Sequence, residues 1–193
     1  MKKRKKIGYR TLKRVDNYVA KMHQHFGQGL MKKTIHRRLD NGKEVFLSPI
    51  TPDDISQLLA IERCVYHGNL LWTKDIFLSE LNQSQPHLYV KVQFNHQIIA
   101  FIGARFCLGD AHIANLAVLP AYQKQGIASL LLRQVEKWAR FYGCQHLSLE
   151  VRQSNLAAQR LYRAYGFHSQ RVLEHYYFDN DENGVYMEKE IER

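Results

Sequence analysis

Two hydrophobic rhythms divide the chain near residue 45. Before it, Leu12, Val15, Val19, Met22 and Phe26 recur at helical spacing among basic residues, so a helix with one apolar stripe is expected there. Gly27 and Gly29 interrupt the stripe, and Lys32, Lys33, Arg37 and Arg38 form a second basic cluster. After it, short apolar runs alternate with helical stripes. Residues 45–50 read as a strand. Thr51, Pro52, Asp53 and Asp54 then open a helix: an N-cap, a proline at the first helical position and acids in the first turn. That helix carries Leu58, Leu59, Ile61 and Val65, and Thr73 opens another through Ile76, Phe77 and Leu81.

Residues 88–94 and 97–108 are strand-like and joined by Asn95-His96, with a further strand over 112–119. Ile127, Leu131, Val135, Trp138 and Tyr142 share one helical face, and Gly143 ends it. A strand over 147–151, a helix over 155–165 stopped by Gly166, and a strand pair over 172–178 and 185–191 complete the chain. The order β-α-α-β-β-β-α-β-α-β-β predicts one α+β, or mixed α/β, domain over residues 45–193, preceded by a basic, helical extension over 1–44.

Composition narrows the class. Of 193 residues, 45% are hydrophobic, which excludes disorder throughout. No apolar run is long enough for a membrane helix, and no apolar run follows the basic start as a secretory signal requires, so a cytoplasmic protein is expected. Three scattered cysteines support neither a disulfide framework nor a zinc site, and the ten histidines lack ligand spacing, so no metal is expected. The net charge of +10 is lopsided: residues 1–44 hold 14 Lys and Arg against three acids, the remainder 14 against 15. The extension is therefore suited to RNA or another polyanion.

The stretch that can carry chemistry runs from Asn115 to Ala128. A strand ends, a polar loop with Lys124 and Gly126 follows, and a helix begins. A helix N-terminus presents free N–H groups to a phosphate, and glycine permits close backbone approach. The same features equally suit a plain strand-to-helix turn.

Gln123-Lys124-Gln125-Gly126-Ile127-Ala128 resembles motif A of the GNAT N-acetyltransferases, Gln/Arg-x-x-Gly-x-Gly/Ala. Glu150-Val151-Arg152-Gln153-Ser154-Asn155 and the segment Leu161-Tyr162 to Gly166-Phe167 resemble that family's next strand and helix. Leu149-Glu150-Val151-Arg152, Ser154-Asn155 and His175-Tyr176-Tyr177 are similar to the RimI group of ribosomal-protein alanine N-acetyltransferases, although Leu71 stands where that group has proline before Trp72.

The resemblance implies the GNAT fold, a mixed and mostly antiparallel sheet flanked by helices, with acetyl-CoA as co-substrate. It implies that Gln123, Lys124, Gln125, Gly126, Ile127, Ala128 and Ser129 hold the pyrophosphate, that Leu116, Ala117 and Val118 pair with the pantetheine arm, and that Asn155 touches coenzyme A. Asn155 also suits a helix N-cap.

Glu150 interrupts an apolar strand, which is costly unless it faces water, a partner or a cleft. It is either an exposed or Arg152-paired charge or, as the resemblance implies, the general base. Tyr162 lies on an apolar helical face and is either a core aromatic or the acid that protonates the leaving thiolate. Trp72, Tyr176 and Tyr177 are implied to line the substrate groove, the two tyrosines being strand aromatics otherwise. The expected substrate is a protein N-terminus, most simply the N-terminal alanine of a small-subunit ribosomal protein. A transferase for lysine or small amines, or a polyanion-binding protein on this scaffold, are the competing readings.

Overall fold

The computed structural model describes residues 33–66, 68, 72–107 and 109–192. The apolar stripe predicted over residues 12–26 and most of the basic extension lie outside the described residues.

Eight strands form one sheet in the order β1-β2-β3-β4-β5-β6-β8-β7. They are β1 (Ile35–Arg38), β2 (Glu44–Pro49), β3 (His87–Phe94), β4 (Gln97–Cys107), β5 (Asp110–Val118), β6 (His146–Arg152), β7 (His168–Tyr177) and β8 (Glu182–Glu190). The helices are α1 (Ile55–Val65), α2 (Lys74–Asn82), α3 (Ile127–Phe141) and α4 (Leu156–Ala164). A single turn of 3-10 helix, Pro52–Asp54, leads into α1, with Thr51 and Asp54 forming a reciprocal capping box. Thr73 accepts from the Ile76 amide, as its expected N-cap role requires.

Alternate strand residues face opposite sides, and each side has its own core. Leu88, Val90, Ile102, Val118, Leu147 and Leu149 pack with Leu131 and Val135 of α3. Tyr89, Phe101 and Ala117 pack with Leu58 of α1 and Phe77 of α2. The sheet is thus covered by one helix pair per face. This is the mixed, mostly antiparallel sheet expected of the GNAT fold.

The sheet begins earlier than the hydrophobic pattern predicts. Ile35–Arg38, read from the sequence as part of the extension, forms β1 and pairs with β2 from Ile35↔Leu47 to Arg38↔Glu44. Its residues 36–38 are exposed, so no apolar alternation announces it. Charged side chains on such an edge discourage further strand pairing.

All neighbouring strands are antiparallel except β5 and β6. Those two are parallel over only three pairs, Asp110↔His146, Ala111↔Leu147 and His112↔Ser148. Immediately beyond, β5 carries a bulge: Ala104 faces Ile113 and Gly103 faces Asn115, leaving Ala114 as the extra residue. A bulge bends and twists its strand. Here it lies at the point where β5 and β6 part, so β5 loses its partner on that edge and a cleft opens between them.

Candidate active site

The cleft has a volume of about 270 Å³ and is lined by residues 113–116 of β5, residues 149–152 of β6, and side chains from three other directions. It brings together Leu116, Trp72, Glu150, Asn155, Tyr162, Tyr176 and Tyr177 of the residues singled out from the sequence.

Glu150 points away from the apolar face that holds Leu149 and Val151. Its partner is not Arg152, the pairing considered from the sequence, but His112: Oε2 lies 3.3 Å from Nε2. Arg152 instead grips the β7–β8 turn, with both carboxylate oxygens of Asp179 at 2.8 Å and Glu182 at 3.2 Å. Its guanidinium stacks 4.0 Å from the centre of the Tyr177 ring.

Tyr162 is both a core aromatic and a wall of the cleft. Its ring meets Phe167 edge-on at 5.7 Å. Burial pushes its phenol well above the usual tyrosine range, so it keeps its proton at neutral pH. The Tyr176 phenol is raised by burial first and then by the charge of the nearby Glu150 carboxylate.

Tyr176 and Tyr177 both line the cleft although neighbours on a regular strand point to opposite faces. The strand is irregular there: the register slips between Leu173 and Tyr177, and His175 has φ +54°. Gly184 on β8 makes room, since a Cβ on it would come within 3.0 Å of the Tyr176 ring. Trp72 is seated edge-on against Phe77 at 4.9 Å.

Asn155 is the N-cap of α4, accepting from the Ala158 amide at 3.0 Å, and it also lines the cleft. The remaining predicted cofactor residues lie outside the cleft lining, at the end of β5 and the start of α3. Ala117, Val118 and Ile127 are buried, so only their backbone can meet a ligand. Gln123 and Gln125 turn their amides onto the Val118 and Ala121 carbonyls, at 3.0 and 2.9 Å, and thereby shape the loop itself. Gln125 is held further by Asn41 at 2.8 Å and Lys43 at 3.1 Å from the β1–β2 turn. Lys124 and Gly126 have φ of +56° and +78°. Gly126, the N-cap of α3, takes that left-handed value without strain and leaves open space above it. The N–H groups of the first α3 turn, through Ala128 and Ser129, have no acceptor within the helix, which suits a phosphate.

Past His112, the β5 edge facing β6 has no strand partner. An extended chain with amide groups fits that edge, and an anion fits the adjacent helix start. Together they match the pantetheine arm and pyrophosphate of acetyl-CoA.

Two lining or supporting residues escaped the sequence reading. Tyr66, one residue past α1, lines the cleft, and its phenol is raised by burial and by nearby Tyr162 and Glu62. Glu62 is a fully buried carboxylate on α1 that accepts from the Asn115 amide at 2.6 Å and the Trp72 backbone at 3.0 Å. It ties β5 to the Trp72 wall. An acid on the helix face beside Leu58 and Ile61 was the available signal. Among the described residues, no cluster of three or more His, Cys, Asp and Glu could hold a metal ion, and no helix is long and apolar enough to cross a membrane.

The acetyltransferase (GNAT) family model matches residues 54–167. The ribosomal protein bS18-alanine N-acetyltransferase of Haemophilus ducreyi is 36% identical over 144 residues, covering 73% of this chain and 97% of that protein. The crystal structure of the Escherichia coli ribosomal-protein-S18-alanine N-acetyltransferase is similar with a TM-score of 0.67 and 30% identity, covering 77% of this chain and 95% of that one. The PaiA N-acetyltransferase of Thermoplasma acidophilum, crystallised with coenzyme A, shares the fold with a TM-score of 0.62 at 20% identity, covering 76% of this chain and 98% of that one. This chain therefore belongs to the GNAT acetyltransferase family, in its RimI-like group.

Proposed function

We propose that this protein transfers the acetyl group of acetyl-CoA to the α-amine of a protein N-terminus, an N-terminal alanine on a ribosomal protein. The observation that carries this reading is the convergence of Glu150 and Tyr162 on one cleft beside the unpaired edge of β5. The activity named for the H. ducreyi and E. coli relatives supports the same substrate.

The chemistry follows from the groups present. An α-amine has a pKa near 7.7–8.0, so part of it is neutral at pH 7, whereas a lysine amine near 10.4 is almost wholly protonated. One positioned carboxylate suffices for the former. Glu150 takes the amine proton as nitrogen attacks the acetyl carbonyl. As the carbon–sulfur bond breaks, the buried phenol of Tyr162 gives its proton to sulfur. The backbone of residues 116–118 and the N–H groups at residues 126–129 would hold the co-substrate, with Asn155 beside it. Trp72, Tyr176 and Tyr177 would enclose the peptide end and exclude water. Such an enzyme would work in the cytoplasm, and the extension's charge suits an RNA contact near the ribosome.

Turnover on peptides that differ only at residue one tests this. N-terminal alanine is expected to lead the series, with acetyl-blocked peptides inert. Equal rates across all first residues, or activity only on small amines, would overturn it.

A further inference from the structure

On the face of the sheet that carries Glu150, four polar side chains form a line. Glu150 Oε2 lies 3.3 Å from His112 Nε2. His112 Nδ1 lies 3.0 Å from Ser148 Oγ, and Ser148 donates to Asp110 Oδ2 at 2.7 Å. His112 and Ser148 are register partners in the short parallel stretch of β5 and β6. Ser148 is buried, and the second oxygen of Asp110 is buried without a hydrogen-bond partner. The charged and titratable groups around this line are His146 on β6, Tyr186 and Glu188 on β8, Tyr176 and Tyr177 on β7, and Cys144 just before β6.

The donor inventory settles which ring nitrogen carries hydrogen. A serine hydroxyl has one proton, and Ser148 gives it to a carboxylate. Its oxygen therefore accepts from His112 Nδ1–H. In the neutral ring Nε2 is then a lone pair aimed at a carboxylate oxygen. Two acceptors at this distance are favourable only with a proton between them, so the contact is a seat for one proton.

Acetylation of an α-ammonium removes two protons from nitrogen. One restores to Tyr162 the proton that its phenol gave to the coenzyme A sulfur, and the other must reach solvent. We propose that His112 is the proton outlet of Glu150, positioned by Ser148 and Asp110. This rests on the acetyl-transfer reading above. The proton passes from the amine nitrogen to Glu150 Oε2, then to His112 Nε2, and then to water, since the His112 side chain is 30% exposed against 18% for Glu150. His112 acts through Glu150 and touches no reacting atom.

The test compares wild type with His112→Gln and His112→Ala at saturating acetyl-CoA, using an alanine-first peptide. Wild-type turnover comes first, and its absence would count against acetyl transfer itself. With wild type active, His112→Gln is expected to lower kcat by on the order of 10–10²-fold. KM for acetyl-CoA and its thermal shift should stay unchanged. Added imidazole should restore turnover of His112→Ala in proportion to the neutral base. A His112→Gln kcat within about twofold of wild type, or a slow His112→Ala that imidazole does not restore, would overturn the proposal.

Discussion

Glu150 shows how a single residue acquires a role from its strand. Leu149 and Val151 turn into the core beneath α3, and alternation alone sends Glu150 to the other face. That much was legible, because a carboxylate flanked by apolar neighbours stands out in the sequence. Its partner was not, since His112 meets Glu150 only through the short parallel pairing of two distant strands. Tyr162 was legible as an aromatic on a helical stripe, and burial adds what the sequence lacked, a phenol that keeps its proton. Tyr66 was not legible, because nothing in a loop position reports burial. At this scale, Glu150→Gln is expected to lower kcat by roughly 10²–10⁴-fold while acetyl-CoA binding is retained. Tyr162→Phe should slow turnover without reordering peptide preference. Rapid-quench kinetics, in which chemistry is observed directly, would check both.

Among the elements, the parting of β5 from β6 and the irregularity of β7 build the cleft. The strand and helix cores were readable from periodicity, but neither irregularity was, because both depend on which strands pair. The bulge at Ala114 has no signature in Asn115-Leu116-Ala117, and the slip at His175 lies within a run that reads as plain strand. β1 was missed for a related reason: an exposed basic edge strand lacks alternation, and only its partner β2 defines it. The β7–β8 turn is fixed to β6 by Arg152, through Asp179, Glu182 and the Tyr177 ring. Replacing Arg152 by Met keeps the apolar stem and removes these links. The expected result is a several-fold higher KM for the peptide and an unchanged affinity for acetyl-CoA, read by initial-rate kinetics and calorimetry. Equal losses for both ligands would mean that the turn supports the whole cleft rather than its peptide side.

At the scale of the molecule, buried and half-buried carboxylates tie distant elements together. Burial raises the Glu80 carboxyl, but hydrogen bonds from Arg105 and Tyr89 outweigh it and bring the group below its usual range. Burial likewise opposes, and bonds from Lys189, Arg140 and Tyr165 outweigh, at Glu136. Ser154, then Asn180 and Arg152, hold Glu182 down to about 2. A carboxyl depressed by folding stabilises the native state above its unfolded value and loses that contribution as pH falls through the folded one. Stability should therefore be flat above about pH 5 and decline from there toward about pH 2, followed by chemical denaturation across that window.

The basic extension belongs to this scale too. Because β1 completes the sheet, truncation is best placed after residue 32. Loss of residues 1–32 is expected to spare turnover on free peptide and to reduce co-sedimentation with ribosomes at low salt, since phosphate contacts weaken as salt rises. Equal pelleting of both forms would remove the RNA contact. The most direct test of acetyl transfer by this cleft uses one peptide with a free N-terminal alanine and an internal lysine. After incubation with acetyl-CoA, fragmentation mass spectrometry locates the acetyl group. The expected product carries it on the α-amine, and Glu150→Gln forms that product far more slowly. Acetyl on the lysine, or an α-acetyl product formed as fast by Glu150→Gln, would contradict the assignment of this cleft.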